Sequence, residues 1–226
     1  MNYVWEFSAI ERYQHLLVEG LANTLQLTVL AYMLGLPIGI ALALGRLSRH
    51  RIVSVVVGFV IDFFRCTPSL VQLFWFFFAL PRIIGVRLSP FEASLICLTI
   101  LSSAFVAEIF RGGIASIERG QWEGARALGM GYRQMMIRII LPQAVKRMIP
   151  VFLERAIELL KTSTIAAAIS YPDLLFQANE ISHRTYRPLE VFTTVALIFL
   201  LVVTIGSQLT RMLERRLARS GESTAH

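Results

Sequence analysis

The chain has 226 residues, 55% of them hydrophobic and only 16% charged, which excludes an average water-soluble domain, where about a quarter of residues carry charge. Its net charge of +7 falls in short basic clusters between long apolar runs, a placement that favours an anionic membrane face over nucleic acid. The segment 1–20 holds Glu6, Glu11 and Glu19 with Arg12 as its one basic residue. It lacks the basic start and small-residue cleavage site of a secretory leader and is expected to lie outside the bilayer.

A helix needs about 20 apolar residues to cross a bilayer. The first such run is Leu21–Leu44, with Ala31, Gly35, Gly39 and Ala43 repeating at i+4 and Pro37 predicting a kink. The repeat either lets a neighbouring backbone approach closely or reflects how common small residues are in membrane helices. Ile52–Leu80 is longer than a span requires and is interrupted by Asp62, Arg65 and Pro68. It predicts an interfacial or bent first part followed by an apolar run from Ser69 to Leu80. Leu88–Phe110 is a third span, with Glu108 and Arg111 at i, i+3 near its end, the spacing also shown by Asp62 and Arg65.

Met148–Ser170 carries Glu154, Arg155, Glu158 and Lys161, so hydropathy leaves it undecided, whereas Val191–Leu209 is clear. Basic residues mark cytoplasmic loops. They concentrate in segment 46–51 (Arg46, Arg49, Arg51), segment 111–147 (Arg111, Arg119, Arg126, Arg133, Arg138, Lys146, Arg147) and the tail (Arg211, Arg215, Arg216, Arg219). Segments 81–90 and 171–190 hold two each. That alternation requires Met148–Ser170 to cross. The expectation is therefore five spans, an external N-terminus and a cytoplasmic C-terminus. The organisation is an external segment 1–20, a membrane domain 21–210 with a cytoplasmic loop 111–147, and a tail 211–226.

The loop reads as short helices. Ala125–Met130 is rich in helix formers, with Gly129 and Gly131 as C-cap glycines. Tyr132–Ile140 places Met135, Met136, Ile139 and Ile140 on one face, and Pro142 starts the next helix. An apolar face on so short a helix suits either a partner's groove or the bilayer surface.

The run Glu123-Gly124-Ala125, with Gly129, Ile139 and Leu141-Pro142 at set spacings, resembles the Glu-Ala-Ala loop of ABC importer permeases. Gly124 departs from the usual Ala. Further stretches resemble the polar amino-acid branch of that family: Asn23–Thr28, Arg65-Cys66-Thr67-Pro68-Ser69-Leu70-Val71-Gln72-Leu73-Phe74, Ala107–Ile114, Gly120–Glu123 and Leu160–Ile165. Thr162 stands where the family carries an acid, and Glu154 near where it often carries Asn.

The resemblance implies an all-α, polytopic fold of the type I importer permease (MetI-like) kind. It implies a loop of Glu123, Gly124, Ala125, Leu128, Gly129, Ile139, Leu141 and Pro142 that engages a separate ABC ATPase subunit. It further implies a second permease subunit, identical or related, and a periplasmic solute-binding protein delivering an amino acid or similar small polar solute. ATP and Mg belong to the ATPase. This chain contains no Gly-x-x-x-x-Gly-Lys-Ser/Thr phosphate loop, so no cofactor is expected in it.

Glu154, Glu158 and Lys161, at i, i+4 and i+7, share one helix face. Intramembrane charges of this kind face a partner or a wet cavity. They form a structural ion pair, contact solute, or lie exposed at a span end. With Thr162, Ser163, Arg65 and Thr67 they make up the candidate translocation pathway. Cys66 and Cys97 sit in apolar runs without CxxC spacing, and His15, His50, His183 and His226 are scattered, so neither a metal nor a catalytic site is expected. Two other functions compete: an ion-gradient-driven secondary transporter, which usually needs inverted repeats in a longer chain, and a scaffold that docks a cytoplasmic protein.

Overall fold

The computed structural model describes residues 4–222, and within them all side chains except those of residue 9 and residues 215–222. Residues 1–3 of the expected external segment, residues 223–226 of the expected tail and the side chains of Arg215, Arg216 and Arg219 lie outside the described residues. The described residues form helices and no strands.

Helix α1, Ser8–Arg46, starts well before the expected first span and takes in most of the segment expected to lie outside. Pro37 sits inside it, and the helix continues on both sides. Its small-residue stripe is the contact surface for α5, Pro90–Ala115. A Cβ on Gly39 would come within 2.6 Å of the Ser103 carbonyl oxygen and of Val106, and one on Gly35 within 2.8 Å of Ser102. Ala31 and Ala43 are fully buried beside them. Of the two readings of the stripe, close backbone approach is the one realised.

The expected second span is broken. Helix α2, Arg51–Cys66, stops at Thr67-Pro68, and the chain restarts as α3, Ser69–Phe74, a π-helical turn Trp75–Ala79, and α4, Leu80–Ile84. The two halves meet at 102°. Pro68 supplies no N–H and forces its predecessor extended, so Thr67 has ψ 138°. The freed carbonyls of Phe64 and Thr67 accept from Gln72 Nε2 at 2.8 and 3.0 Å, which satisfies the break within the chain.

Helix α5 is the hub. In its most apolar stretch 67% of residues are buried inside the chain, against 17% for α10, Pro188–Glu222, which lies at the periphery. Helices α8, Leu141–Thr162, and α9, Leu174–Thr185, complete the bundle, separated by a 3₁₀ stretch Ser163–Ile169. Among the described residues, three helices are long and apolar enough to cross a membrane, or four with the bent pair counted as one span. The expected fifth, Met148–Ser170, is realised as the latter part of α8 with the 3₁₀ stretch, and its four charged residues keep it below that threshold of apolarity.

On the α9 side, Asp173 caps the helix by accepting from the Phe176 N–H at 2.7 Å. Asn23 donates to the Pro172 carbonyl at 2.9 Å, and Thr24 Oγ1 accepts from the Leu174 N–H at 3.1 Å. These bonds tie α1 to the start of α9.

Candidate functional site: the loop hairpin and the charged cluster

Between α5 and α8 the chain forms a helical hairpin. Helix α6 spans Arg119–Ala127 and ends on Gly129, whose φ of 72° only glycine adopts freely. The Gly129 N–H reaches the Arg126 carbonyl at 2.9 Å and the Met130 N–H reaches Ala125 at 3.1 Å, together a Schellman cap. Gly131 is not a second C-cap as expected. Its φ of −68° and ψ of 156° make it the entry to α7, Tyr132–Met135, because the helix already ends two residues earlier. A π-helical turn, Met136–Ile140, then runs without a break into α8, and Pro142, which has no N–H to return to the preceding turn, lies where the π-helical turn passes into α8.

The expected apolar face is turned the other way. Met135 and Ile140 are buried, and Met136 and Ile139 half-buried, in one cluster with Phe110 and Ile114 at the end of α5 and Ile117 just beyond it. The chain's own core takes most of that face, which was expected to meet a partner's groove or the bilayer surface. Ala125 joins the same cluster at 2% exposure, and Leu141 packs partly against it. Glu123, Gly124, Gly129 and Pro142 are exposed, and Leu128 stands at the turn with 80% of its surface open. Arg147 braces the hairpin from α8, donating to the Ser116 carbonyl and lying 3.8 Å from Glu118.

Around the middle of α8 the structure assembles a second group of polar residues. Arg155 is 10% exposed at its side chain, lies 3.4 Å from the ring centroid of Phe105 on α5, and donates to Glu158 at 2.8 Å. Arg65 approaches the same ring at 5.4 Å and lies 3.7 Å from Asp62 and 3.9 Å from Glu108. Glu108 is bonded to Arg111 Nε at 3.0 Å, as the i, i+3 spacing predicted. A Phe ring flanked by two guanidiniums, each backed by carboxylates, is electrostatically coherent: the π faces attract cations and the carboxylates balance them.

The expected pathway residues divide. Glu158 belongs to this cluster and is 56% exposed at its side chain. Its partner is Arg155 rather than Lys161. Glu154 and Lys161 are exposed and share the face with Glu158, but neither makes an ion pair among the described residues. The Thr162 hydroxyl donates to the Glu158 carbonyl at 2.9 Å. Ser163 is buried and accepts from Thr28 of α1 at 3.3 Å. Thr67 is set apart, beside an apolar cavity of about 400 Å³ lined with Phe63, Gln72 and Trp75. Sequence reasoning named Arg155 without giving it a role and overlooked Phe105. The i, i+3 spacing of Arg155 and Glu158 was readable, but the aromatic face belongs to another helix.

Residues 35–219 match a family described as the inner membrane component of binding-protein-dependent transport systems. The arginine transport system permease ArtQ of Bacillus subtilis is 36% identical over 94% of this chain and 97% of its own length. The probable glutamine permease GlnM of the same organism is 38% identical over 90% and 94%. A crystal structure of an amino acid ABC transporter with histidines superposes with a TM-score of 0.90 at 36% identity, covering 95% of this chain and all of the other. The MetNI methionine transporter superposes at 0.73 with 22% identity, which shows a shared fold.

Proposed function

This chain belongs to the family of inner membrane components of binding-protein-dependent transport systems, and from that premise we propose that it forms half of the conduit of an ATP-driven amino acid importer. The family consists of permease subunits, transporter components rather than enzymes, and works with ATPase and solute-binding partners. The observation that carries the substrate class is the identity of 36–38% over nine tenths of the chain to permeases named for arginine and glutamine. A second permease subunit completes the pathway. The hairpin 118–142 faces the cytoplasm and receives the ATPase through Glu123, Gly124 and Leu128, the part of it that the chain's own core leaves open. The N-terminus then lies outside and the C-terminus inside, in keeping with the five-span reading and the basic residues at 46–51 and 111–147.

Mechanically, closure of two ATPase subunits on nucleotide would draw the two hairpins together. The Schellman cap and the Arg147 brace make the hairpin stiff enough to pass that displacement to α5 and α8. Glu158 faces the pathway from α8, held in orientation by Arg155, with Thr162, Lys161 and Glu154 on or beside the same face and Arg65 approaching from α2. A face offering both carboxylates and an ammonium suits a zwitterion, whose two charged groups each need a counter-charge once desolvated.

The test is co-purification. The ATPase encoded with this chain should bind the wild-type membrane complex and be lost from Leu128→Glu, which places a charge where an apolar side chain enters the partner. Retention of the ATPase by that variant would remove Leu128 from the docking surface, and ion-driven uptake by the isolated chain would point to the secondary-transporter reading instead.

A further inference from the structure

On the flank of the hairpin away from its packed core, α7 and the π-helical turn border a depression of about 520 Å³. It is lined by Gly131, Tyr132, Arg133, Gln134, Ile137 and Arg138. In a regular α-helix Arg133 and Arg138, five residues apart, would point well away from each other. The π turn closes over five residues and brings both to one concavity. No carboxylate lines it, and among the described residues neither arginine makes an ion pair. Arg111 and Arg147 in the same stretch are each held by an acid, Glu108 and Glu118.

A third arginine ties this depression to the loop between α1 and α2. Arg49 follows the end of α1 by three residues and precedes the start of α2, so it sits at the surface where two membrane helices emerge. Its guanidinium lies 5.3 Å from the centroid of the Tyr132 ring. On the topology proposed above, Tyr132 and the exposed Ile137 (55%) then stand at headgroup level beside Arg49, Arg133 and Arg138. Aromatic and aliphatic side chains next to arginines at that depth match the boundary between lipid headgroups and acyl chains.

We infer that Arg49, Arg133 and Arg138 form a binding site for the headgroup of an anionic phospholipid, with Tyr132 and Ile137 against the start of its acyl chains. The site couples the first interhelical loop and the hairpin to one lipid molecule. The leaflet rests on the topology proposed above; the headgroup chemistry does not.

The experiment uses the full chain with its ATPase in nanodiscs of phosphatidylcholine containing phosphatidylglycerol, released for native mass spectrometry. Wild-type complex should retain phosphatidylglycerol in preference to phosphatidylcholine. The double variant R133Q/R138Q should lose that preference by roughly tenfold or more, since each arginine near an anionic surface is worth about fivefold. R184Q, on α9, should leave it unchanged. Unchanged retention in the double variant overturns the proposal. So does loss of the ATPase from that variant in pure phosphatidylcholine, which would assign the surface to the ATPase. Should the double variant fail to assemble, wild-type retention that does not weaken between roughly 0.05 and 0.5 M salt overturns it equally. ATP-driven uptake is read separately in phosphatidylcholine alone, so failure of the lipid site leaves the transport reading standing.

Discussion

Arg155 is a guanidinium kept almost entirely out of water by one ring and one carboxylate. Breaking a fully buried pair costs about 3–5 kcal/mol, but Glu158 is more than half exposed, and water replaces much of what it gives. Glu158→Gln should therefore lower stability by about 1 kcal/mol while clearly slowing solute uptake. Thermal unfolding and transport measured on the same variant check both; wild-type uptake kinetics would remove Glu158 from the pathway. Phe105→Leu removes the ring from both arginines and should cost about 1–2 kcal/mol.

At the start of α9, burial pushes the Asp173 carboxyl up to about 7, against the opposing pull of the Phe176 and Leu175 N–H groups. Its Oδ2 is buried without a partner, which favours the protonated form. The unfolded chain ionises this group near its ordinary value of 3.8, so stability should fall as pH rises from about 4 to about 7 and flatten above. Asp173→Asn keeps the cap and should abolish that slope in thermal unfolding; equal slopes in the two proteins would contradict the assignment.

Two glycines in helices behave oppositely at the scale of the element. Gly39→Ala places a methyl 2.6 Å from a backbone oxygen of α5 and should destabilise the α1–α5 pair by about 1–3 kcal/mol. Gly124→Ala meets nothing within 4 Å and should stabilise α6 by about 0.5–1 kcal/mol, read as slower amide exchange across Arg119–Ala127. Pro68, Gly129 and Pro142 were legible because each acts on the turn in which it stands, whereas the stripe showed its period but not that α5 is the helix it packs against. Gly131 was misread because cap glycines two residues apart compete, and only the left-handed backbone at Gly129 decides between them. The inward turn of Met135 and Ile140 and the meeting of Arg155 with Phe105 depend on contacts between distant segments. No local period encodes those contacts.

Over the whole molecule, burial is lopsided. Helix α5 is wrapped by the other described helices, while α2 and α10 turn Ile52, Phe59, Phe63, Leu197, Leu200 and Leu201 outward, an apolar surface suited to lipid or, on the function proposed above, to a second permease subunit. The charged face of α8 with Glu154, Glu158 and Lys161 is also open, which accords with a conduit completed by a second subunit. The most direct measurement of the central claim is solute uptake into proteoliposomes containing this chain, its ATPase and its second permease subunit. Accumulation of an amino acid that requires both internal ATP and the external binding protein, and that is abolished by Leu128→Glu, is the predicted result. Accumulation driven by an ion gradient with ATP absent would contradict it.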